Sequence, residues 1–335
     1  MTVAAVEKTL VASPAYQVTW AGREVTVSLA PYILSMTYTD HAHGRSDELE
    51  ISLEDLGGGW KDGWYPQKGD VITARIGYRG APLLPCGDFQ IEEFEAKGPP
   101  DTAHVRALSA GVTRPLRTKN SKAYEGVSLR GIAAEVAARH GLTLVGQVAD
   151  LRLKRVTQNQ ERDLGFLKRI AYEHGQVFAV KGDQLVFMER SDLTEREPVA
   201  TLTRSGITSY SIRDKGLTTY KGARACYDDP WDKATHEGAA STDAPDGVED
   251  AVKLTGRSQS ADHARLQARA ALAAANEARF TGSVEVMGDT RLTAGNTVEL
   301  AGLGRLSGVY LISSSRHACS REAGYTTHIE VTRGG

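Results

Sequence analysis

The first third of the chain alternates between apolar and polar residues in short stretches, a period typical of antiparallel strands. Ala21-Gly22 is a turn between two such stretches, and Gly57-Gly58-Gly59-Trp60 interrupts the pattern. A barrel or sandwich of about seven strands is predicted here. The predicted strands are 16–20, 24–29, 33–39, 48–53, 71–76, 88–95 and 102–108.

The pattern changes at Thr113, where helical periodicity begins to alternate with short apolar runs. One helix is predicted between an N-cap at Ser128 and a stop at Gly141, followed by a strand at 142–145. A second helix is predicted from 163 to 174, and a hairpin turns at Lys181-Gly182-Asp183. This stretch predicts an α+β insertion of about 75 residues, a size within the range of small domains.

Strand patterning resumes after the insertion. Residues 228–250 hold eight acids and one lysine, which favours an irregular, exposed acidic loop. An alanine-rich helix is predicted at 260–279, because alanine is the best helix former. The predicted strands are 199–204, 207–213, 217–226, 281–287, 297–300, 308–313 and 326–332.

A weak repeat links the two ends of the chain. Residues 69–72, 87–91 and 104–108 read Gly-Asp-Val-Ile, Gly-Asp-Phe-Gln-Ile and His-Val-Arg-Ala-Leu. The same order of motifs recurs near the C-terminus, between Gly295 and Val331. Two copies of one β-unit are therefore predicted, and their equivalent core residues are Phe89, Ile91, Tyr310 and Ile312.

Composition excludes several classes of protein. The net charge is −2, which gives no general attraction to nucleic acids or membrane surfaces. No apolar run approaches the roughly 18 residues of a membrane span. Cys86, Cys226 and Cys319 lack the spacing of metal ligands and are interpreted as inert thiols in a reducing compartment. The start of the chain has no apolar signal segment, so synthesis and folding in a cytoplasm are expected.

Three weak metal-site candidates are outweighed by ordinary structural roles. His41 and His43 near Asp40 and Asp47 favour a solvated hairpin tip, and Asp228–Asp232 lacks the periodicity of a calcium loop. His317, Cys319 and His328 are better explained by strand alternation. His140 and His174 precede helix-stop glycines, where a cation suits the helix dipole. The basic run at 114–122 contains no acidic residue and is interpreted as a solvated linker, with contact to a neighbouring subunit as the alternative. No catalytic motif or cofactor site is predicted.

Several motifs in order resemble one known family. These are Asp47–Asp55, Asp163–Ile170 with His174-Gly175, and Gly288–Val298 followed by Gly308-Val309-Tyr310 and Gly324–Thr327. They look like the bacteriophage late control protein D family, over about residues 14–333. That family supplies baseplate hubs of contractile tails and is similar to R-type bacteriocin hubs and to the N-terminal hub part of type VI secretion spike proteins.

The resemblance implies a mainly β fold with an α+β insertion, in which two tail-tube-like β-barrel domains flank a helix-containing middle domain. The implied boundaries are 1–112, 113–190 and 191–335, the last with an acidic loop at 228–256 and the helix at 260–279. It also implies a homotrimer whose six barrels form a pseudo-sixfold ring. Such a ring would adapt a hexameric tail tube to a trimeric spike that is a separate protein.

The implied partners are further copies of the chain, the tube ring, the spike, other baseplate proteins and a tape-measure protein, within a released tail or bacteriocin particle. No enzymatic activity, cofactor, metal or sequence-specific nucleic-acid contact is implied. Asp228, Asp229, Asp232 and Glu237 are candidates for contact with a basic partner on the ring's outer rim. The alternatives for these residues are a place in the ring lumen and an exposed loop without a partner. The alternatives are a cell-wall-binding or wall-cleaving tail component and a β-protein that binds a small ligand.

Overall fold

The computed structural model describes residues 12–67, 69–109, 118–149, 151–215, 219–229, 233–242, 248–254, 258–277 and 279–334. Its helices are α1 (Thr26–Leu29), α2 (Leu129–Arg139), α3 (Asp163–Glu173), α4 (Arg190–Thr194) and α5 (Ala261–Glu277). Its strands are β1 (Pro14–Trp20), β2 (Arg23–Glu24), β3 (Ile33–His41), β4 (Glu48–Glu54), β5 (Val71–Tyr78), β6 (Leu84–Lys97), β7 (Thr102–Ser109), β8 (Lys119–Ser128), β9 (Thr143–Val145), β10 (Arg152–Arg162), β11 (Gln176–Lys181), β12 (Gln184–Glu189), β13 (Thr201–Thr203), β14 (Ile207–Asp214), β15 (Tyr220–Asp229), β16 (Ala234–Ser241), β17 (Val248–Leu254), β18 (Phe280–Met287), β19 (Thr297–Ala301), β20 (Gly308–Ser320) and β21 (Gly324–Arg333).

The first β-unit consists of β1–β7, paired in the order β3-β4-β7-β6-β5-β1-β2. All these pairs are antiparallel, so alternate side chains point to one face and form a buried cluster. Met36, Leu49, Ile72 and Phe89 belong to that cluster. The period-two pattern of this part of the sequence is therefore the signature of a half-buried sheet.

The predicted strand at 24–29 is wrong beyond Glu24, because the chain turns into the one-turn helix α1. At this point a side chain, rather than a continuing strand, forms hydrogen bonds with the backbone of β1. The Thr26 hydroxyl accepts a hydrogen bond from the Val18 amide at 2.8 Å and donates to the Val18 carbonyl at 3.3 Å. The β1 edge is thus satisfied without a continuing strand.

The α+β unit, β8–β12 with α2 and α3, has its own core. The Ser128 hydroxyl caps α2 by accepting from the Gly131 amide at 3.1 Å. Apolar residues at helical spacing on α2 and α3, among them Ile132, Val136, Phe166 and Ile170, pack together against the sheet strands. These helices lie close to their predicted bounds because both the cap and the periodicity are local signals.

Two features of this unit differ from the sequence interpretation. Lys119 and Lys122 of the supposed basic linker lie in β8, while 110–117 fall outside the described residues. Lys122 is not simply solvated, since its ammonium lies 2.5 Å from Glu135 and 4.9 Å from the Tyr124 ring centroid. The partner strand β10 was not predicted, because Arg152–Arg162 is almost wholly polar and is extended through pairing with β8.

The acidic segment is largely β-structure, so the prediction of an irregular loop at 228–250 is wrong there. β16 pairs antiparallel with β15, and β17 pairs parallel with it. This side sheet packs on α5 through small residues, including Ala223, Ala225 and Ala268. A side chain at Gly238 would lie only 2.2 Å from the backbone of Ala264, so glycine permits the close approach of helix and sheet. Residues 230–232 and 243–247 lie outside the described residues.

The second β-unit consists of β13, β14 and β18–β21. Its strands pair in the order β14-β18-β21-β20-β19-β13, and Val284, Val298, Tyr310 and Ile329 form part of its buried cluster. β20 also pairs with β3, so the two β-units share one 13-stranded sheet. Within the described ranges, strand pairing alone closes neither unit into a barrel, and closure remains a prediction.

Candidate assembly site at the junction of the β-units

The strand β20 is longer than the predicted 308–313 and joins the two β-units. Its first residues, Gly308–Leu311, pair with β19, and its later residues, Ser314–Ser320, pair with β3. A bulge between Ile312 and Ser314 separates the two parts. Tyr310 accordingly packs in the second cluster, whereas Cys319 packs in the first. One strand thus gives side chains to both cores.

A neutral histidine lies at the centre of this junction. His317 is fully buried, and its Nε2 lies 2.9 Å from the Ser315 hydroxyl and 3.1 Å from the Leu292 carbonyl. Its Nδ1 lies 2.8 Å from the Tyr325 hydroxyl. Burial lowers the pKa of His317 to about 4, so the ring is uncharged near neutral pH. Both ring nitrogens have protein partners, which suits a rigid structural role.

A half-buried lysine connects the α+β unit to both β-units. The Lys181 ammonium lies 2.9 Å from both carboxylate oxygens of Asp47, 3.1 Å from the His41 carbonyl, and in direct contact with Asp40. Asp40 in turn accepts a hydrogen bond from the Ala294 amide at 2.9 Å. Elements of all three units therefore meet at one ion cluster.

Burial dominates the electrostatics of this cluster. It raises the pKa of the Asp47 carboxyl to about 6, although Lys181 opposes the shift. Burial also disfavours the charged form of Lys181, but the two carboxylates outweigh it and raise its pKa. Half of this site has a signal in the sequence, since Asp40 and Asp47 flank a hairpin tip. Nothing local pointed to Lys181, which is more than 130 residues away.

A second buried carboxylate organises the α+β unit. Asp163 accepts hydrogen bonds from Gln158 at 2.7 Å and Asn120 at 3.0 Å, and it contacts Arg139 at 3.0 Å and His140 at 2.6 Å. Burial disfavours its ionised form, but these donors more than compensate and lower the pKa of Asp163. The four donors leave this carboxylate as a structural anchor rather than an accessible acid.

His174 caps the end of α3 as predicted, but it does so as an uncharged ring rather than as a cation, because burial lowers the pKa of His174. Its Nδ1 lies 2.6 Å from the Ile170 carbonyl, and its ring stacks on His263 with centroids 5.2 Å apart. His140 does end α2, but its ring contacts Asp163. Both histidines therefore join the helices to neighbouring elements.

The predicted core residues differ in burial. Phe89, Tyr310 and Ile312 are buried, whereas Ile91 is only half-buried at the edge of the first cluster. The Tyr310 hydroxyl also donates to the Leu306 carbonyl at 2.7 Å. Ile91 and Ile312 both precede a β-bulge, so the difference in their burial arises from the residues that pack over them.

The metal candidates do not converge on one site. His317 is paired with Thr327 and His328 with Arg316, so the two histidines point to opposite faces of the sheet. Among the residues described, no group of three His, Cys, Asp or Glu side chains could hold a metal ion. A cleft of about 370 Å³ between the α+β unit and α5 is lined by a single carboxylate, Glu173, in the described part of the chain.

Three of the four acidic contact candidates lie on one hairpin, β15–β16. Asp228 and Asp229 are the last residues of β15, and Glu237 is exposed on β16. Asp232 lies outside the described residues, as does most of the connection between the strands. No helix in the described ranges has both the length and the apolar character needed to span a bilayer.

Comparison with known proteins identifies the family. Residues 90–323 match the family model described as "Phage tail baseplate hub (GPD)". The chain belongs to this baseplate hub family. A probable baseplate hub protein of Escherichia phage 186 is 30% identical over 217 residues, which cover 62% of this chain and 54% of the phage protein. The chain thus spans about half the length of the curated relatives it matches.

Solved structures share the fold of this hub family member at low sequence identity. A 43 kDa tail protein of prophage MuSo2 from Shewanella oneidensis has a TM-score of 0.73 at 12% identity, covering 96% of this chain and 98% of that one. An E. coli component of the type VI secretion system has a TM-score of 0.54 at 13% identity, covering 91% and 74%. Phage tails and secretion machines therefore both contain this mainly β architecture.

Proposed function

We propose that this chain is the structural hub of a contractile-tail or injection-particle baseplate and carries out no reaction. Three copies form a ring of six β-units, which joins a hexameric tail tube to a trimeric spike. The first β-unit falls within 1–112, the α+β unit within 113–190 and the second β-unit within 191–335. The particle would be assembled in a bacterial cytoplasm and released as a phage tail or bacteriocin.

The observation that supports this proposal is a repeat of strand register between the two β-units. β5-β6-β7 and β19-β20-β21 are both antiparallel meanders, in which Ile72 pairs with Phe89 and Val298 pairs with Tyr310. In the first unit β7 pairs antiparallel with β4, which pairs with β3. In the second unit β21 pairs antiparallel with β18, which pairs with β14. The sixth strand differs in direction, since β1 is antiparallel to β5 and β13 parallel to β19.

The irregularities also coincide. β6 has a bulge between Ile91 and Glu93, and β20 has one between Ile312 and Ser314. β3 has a bulge between Ile33 and Ser35, matched in β14 between Ile207 and Ser209. Bulges shared at the same register are difficult to explain by chance and support two copies of one unit. A duplicated unit gives a trimer six similar subdomains, which is what a joint between sixfold and threefold parts requires.

The test is the mass and symmetry of the purified protein, alone and with the tube and spike proteins of the same particle. Native mass spectrometry should give three times the 36.1 kDa chain mass, and electron microscopy should show rings with six lobes. A protein that stays monomeric and binds neither tube nor spike would contradict the proposal.

The acidic hairpin is proposed as a contact with a basic baseplate partner on the outer rim. Its candidate residues are Asp228, Asp229, Asp232 and Glu237. Neutralising all four to Asn or Gln should reduce the yield of assembled baseplates, because charge attraction guides such encounters. The same number of neutral substitutions on the exposed face of α5 serves as a control. Equal yields of assembled baseplates from the neutralised variant and the control at every salt concentration would contradict this contact.

A further inference from the structure

Two strand edges in the described part of the chain have the geometry of the β3–β20 junction but no partner strand. β14 pairs only with β18, although its counterpart β3 pairs with both β4 and β20. Beyond Ile91, β6 pairs only with β7, although its counterpart β20 pairs there with both β21 and β3. Among the described residues, each β-unit thus has one edge of this kind that is paired at the internal junction and one that has no partner strand.

We propose that these two open edges pair with each other between copies, so that β14 of one chain binds β6 of the next. The inference rests on the proposed trimeric function and names the contact that would form it. Within one chain, β3 of the first unit pairs with β20 of the second unit. Between chains, β14 of the second unit would pair with β6 in the first unit of the next chain. Three internal and three intermolecular junctions would alternate around the ring and close it head to tail.

The internal junction fixes the expected register. Thr39 pairs with Arg316 and Thr37 with Ala318. The shared register makes Arg213 and Ser211 the counterparts of Thr39 and Thr37, because both strands are numbered from the same bulge. In the same way Glu95 and Lys97 are the counterparts of Arg316 and Ala318. The intermolecular ladder therefore places Arg213 opposite Glu95, and Ser211 opposite Lys97.

Charge and burial both fit this arrangement. An Arg213 guanidinium directly opposite the Glu95 carboxylate is a favourable cross-strand pair. Tyr210 of β14 is 42% exposed, whereas its counterpart Met36 in β3 is fully buried beneath the internal junction. Ile91 is half-buried, whereas its counterpart Ile312 is fully buried. At both positions the residue beside the internal junction is more buried than its counterpart beside the open edge.

Disulfide cross-linking tests the register directly. In a Cys226→Ser background, which removes the exposed thiol, Lys97→Cys with Ser211→Cys should form intermolecular disulfides under mild oxidation. The matched control is Lys97→Cys with Ser209→Cys, since Ser209 lies two residues along the same face of β14. The in-register pair should link at least tenfold faster, and linking should stop at three chains because the ring closes.

A charge exchange gives a second measurement. Arg213→Glu should weaken the trimer roughly fivefold per junction at low salt, and adding Glu95→Arg should restore it. A trimer whose two cysteine variants link equally, or not at all, would overturn the strand pairing and leave the trimeric hub intact. A wild-type chain that never forms trimers would overturn the proposed function and the pairing together.

Discussion

Replacing Lys181 by Met removes the cation that contacts both buried carboxylates, while keeping most of the side-chain volume. Asp40 and Asp47 are each only 4% exposed, and both lose their closest positive partner. Breaking a buried ion pair on one side costs about 3–5 kcal/mol of unfolding free energy. The Lys181 side chain itself is 34% exposed, so water can reach the cavity and the lower end of this range applies.

Protonation of Asp47 sets a limit on that cost. Its pKa is already raised to about 6, and loss of Lys181 raises it further. Protonating one carboxylate at pH 7.5 therefore costs at most about 2 kcal/mol, at 1.36 kcal/mol for each pH unit. With the lost hydrogen bonds, the expected destabilisation is about 3 kcal/mol at pH 7.5. It should shrink to about 1 kcal/mol at pH 5, where Asp47 takes up the proton without cost.

Urea unfolding measured at both pH values checks this prediction. Trp20, Trp60 and Trp64 report on the first β-unit by fluorescence, and far-ultraviolet circular dichroism tests whether the transitions coincide. Arg265→Met is the control, because its ion pair with Asp262 at 2.8 Å is exposed and should contribute less than about 1 kcal/mol. A Lys181→Met loss no larger than that of the control, or one that does not decrease at pH 5, would refute the role of the ion cluster.

Three further predictions follow from the same packing and titration arguments. Phe89→Ala or Tyr310→Ala should each lower the unfolding free energy by about 3–5 kcal/mol in urea titrations, because each empties a buried ring site. Gly238→Ala should destabilise by about 1–3 kcal/mol by clashing with α5, whereas Gly165→Ala, with open space around it, should be neutral or stabilising by up to about 1 kcal/mol. Acidification from pH 6.5 to 4 should lower the urea midpoint, because burial lowers the pKa of His317 to about 4 and the unfolded chain binds the proton first. His317→Gln should make the urea midpoint depend less on pH in this range. Asp47 acts in the opposite direction, because its pKa is raised to about 6 in the folded protein.

The parts of the fold that local signals determine could be predicted from the sequence. The α2 cap at Ser128 and the apolar stripe of α3 depend on residues within a few positions of one another. The two meanders were found as a weak motif repeat, because glycine and aromatic residues recur at matching strand positions. In both cases neighbouring residues carry the signal.

The parts that were missed depend on distant partners. Residues 313–320 read Ser-Ser-Ser-Arg-His-Ala-Cys-Ser, with little apolar content, and this half of β20 is buried because β3 lies beside it. The acidic segment reads as disordered, but Ala223 and Ala225 suffice to pack a sheet against an alanine-rich helix. Lys181 reads as a turn residue until the fold brings Asp40 and Asp47 to it. Composition alone cannot show such contacts.

The chemistry of the open edges also favours a ring over a two-fold dimer. An exposed strand edge can pair with any other edge, including its own copy. Two β6 edges placed together would bring the Glu93 and Glu95 carboxylates of both chains into proximity, which like-charge repulsion opposes. β14 instead offers Arg213 opposite Glu95, so the unlike pair is preferred. Because each chain carries one edge of each kind, unlike pairing runs head to tail, and the angle set by the internal junction decides where it closes.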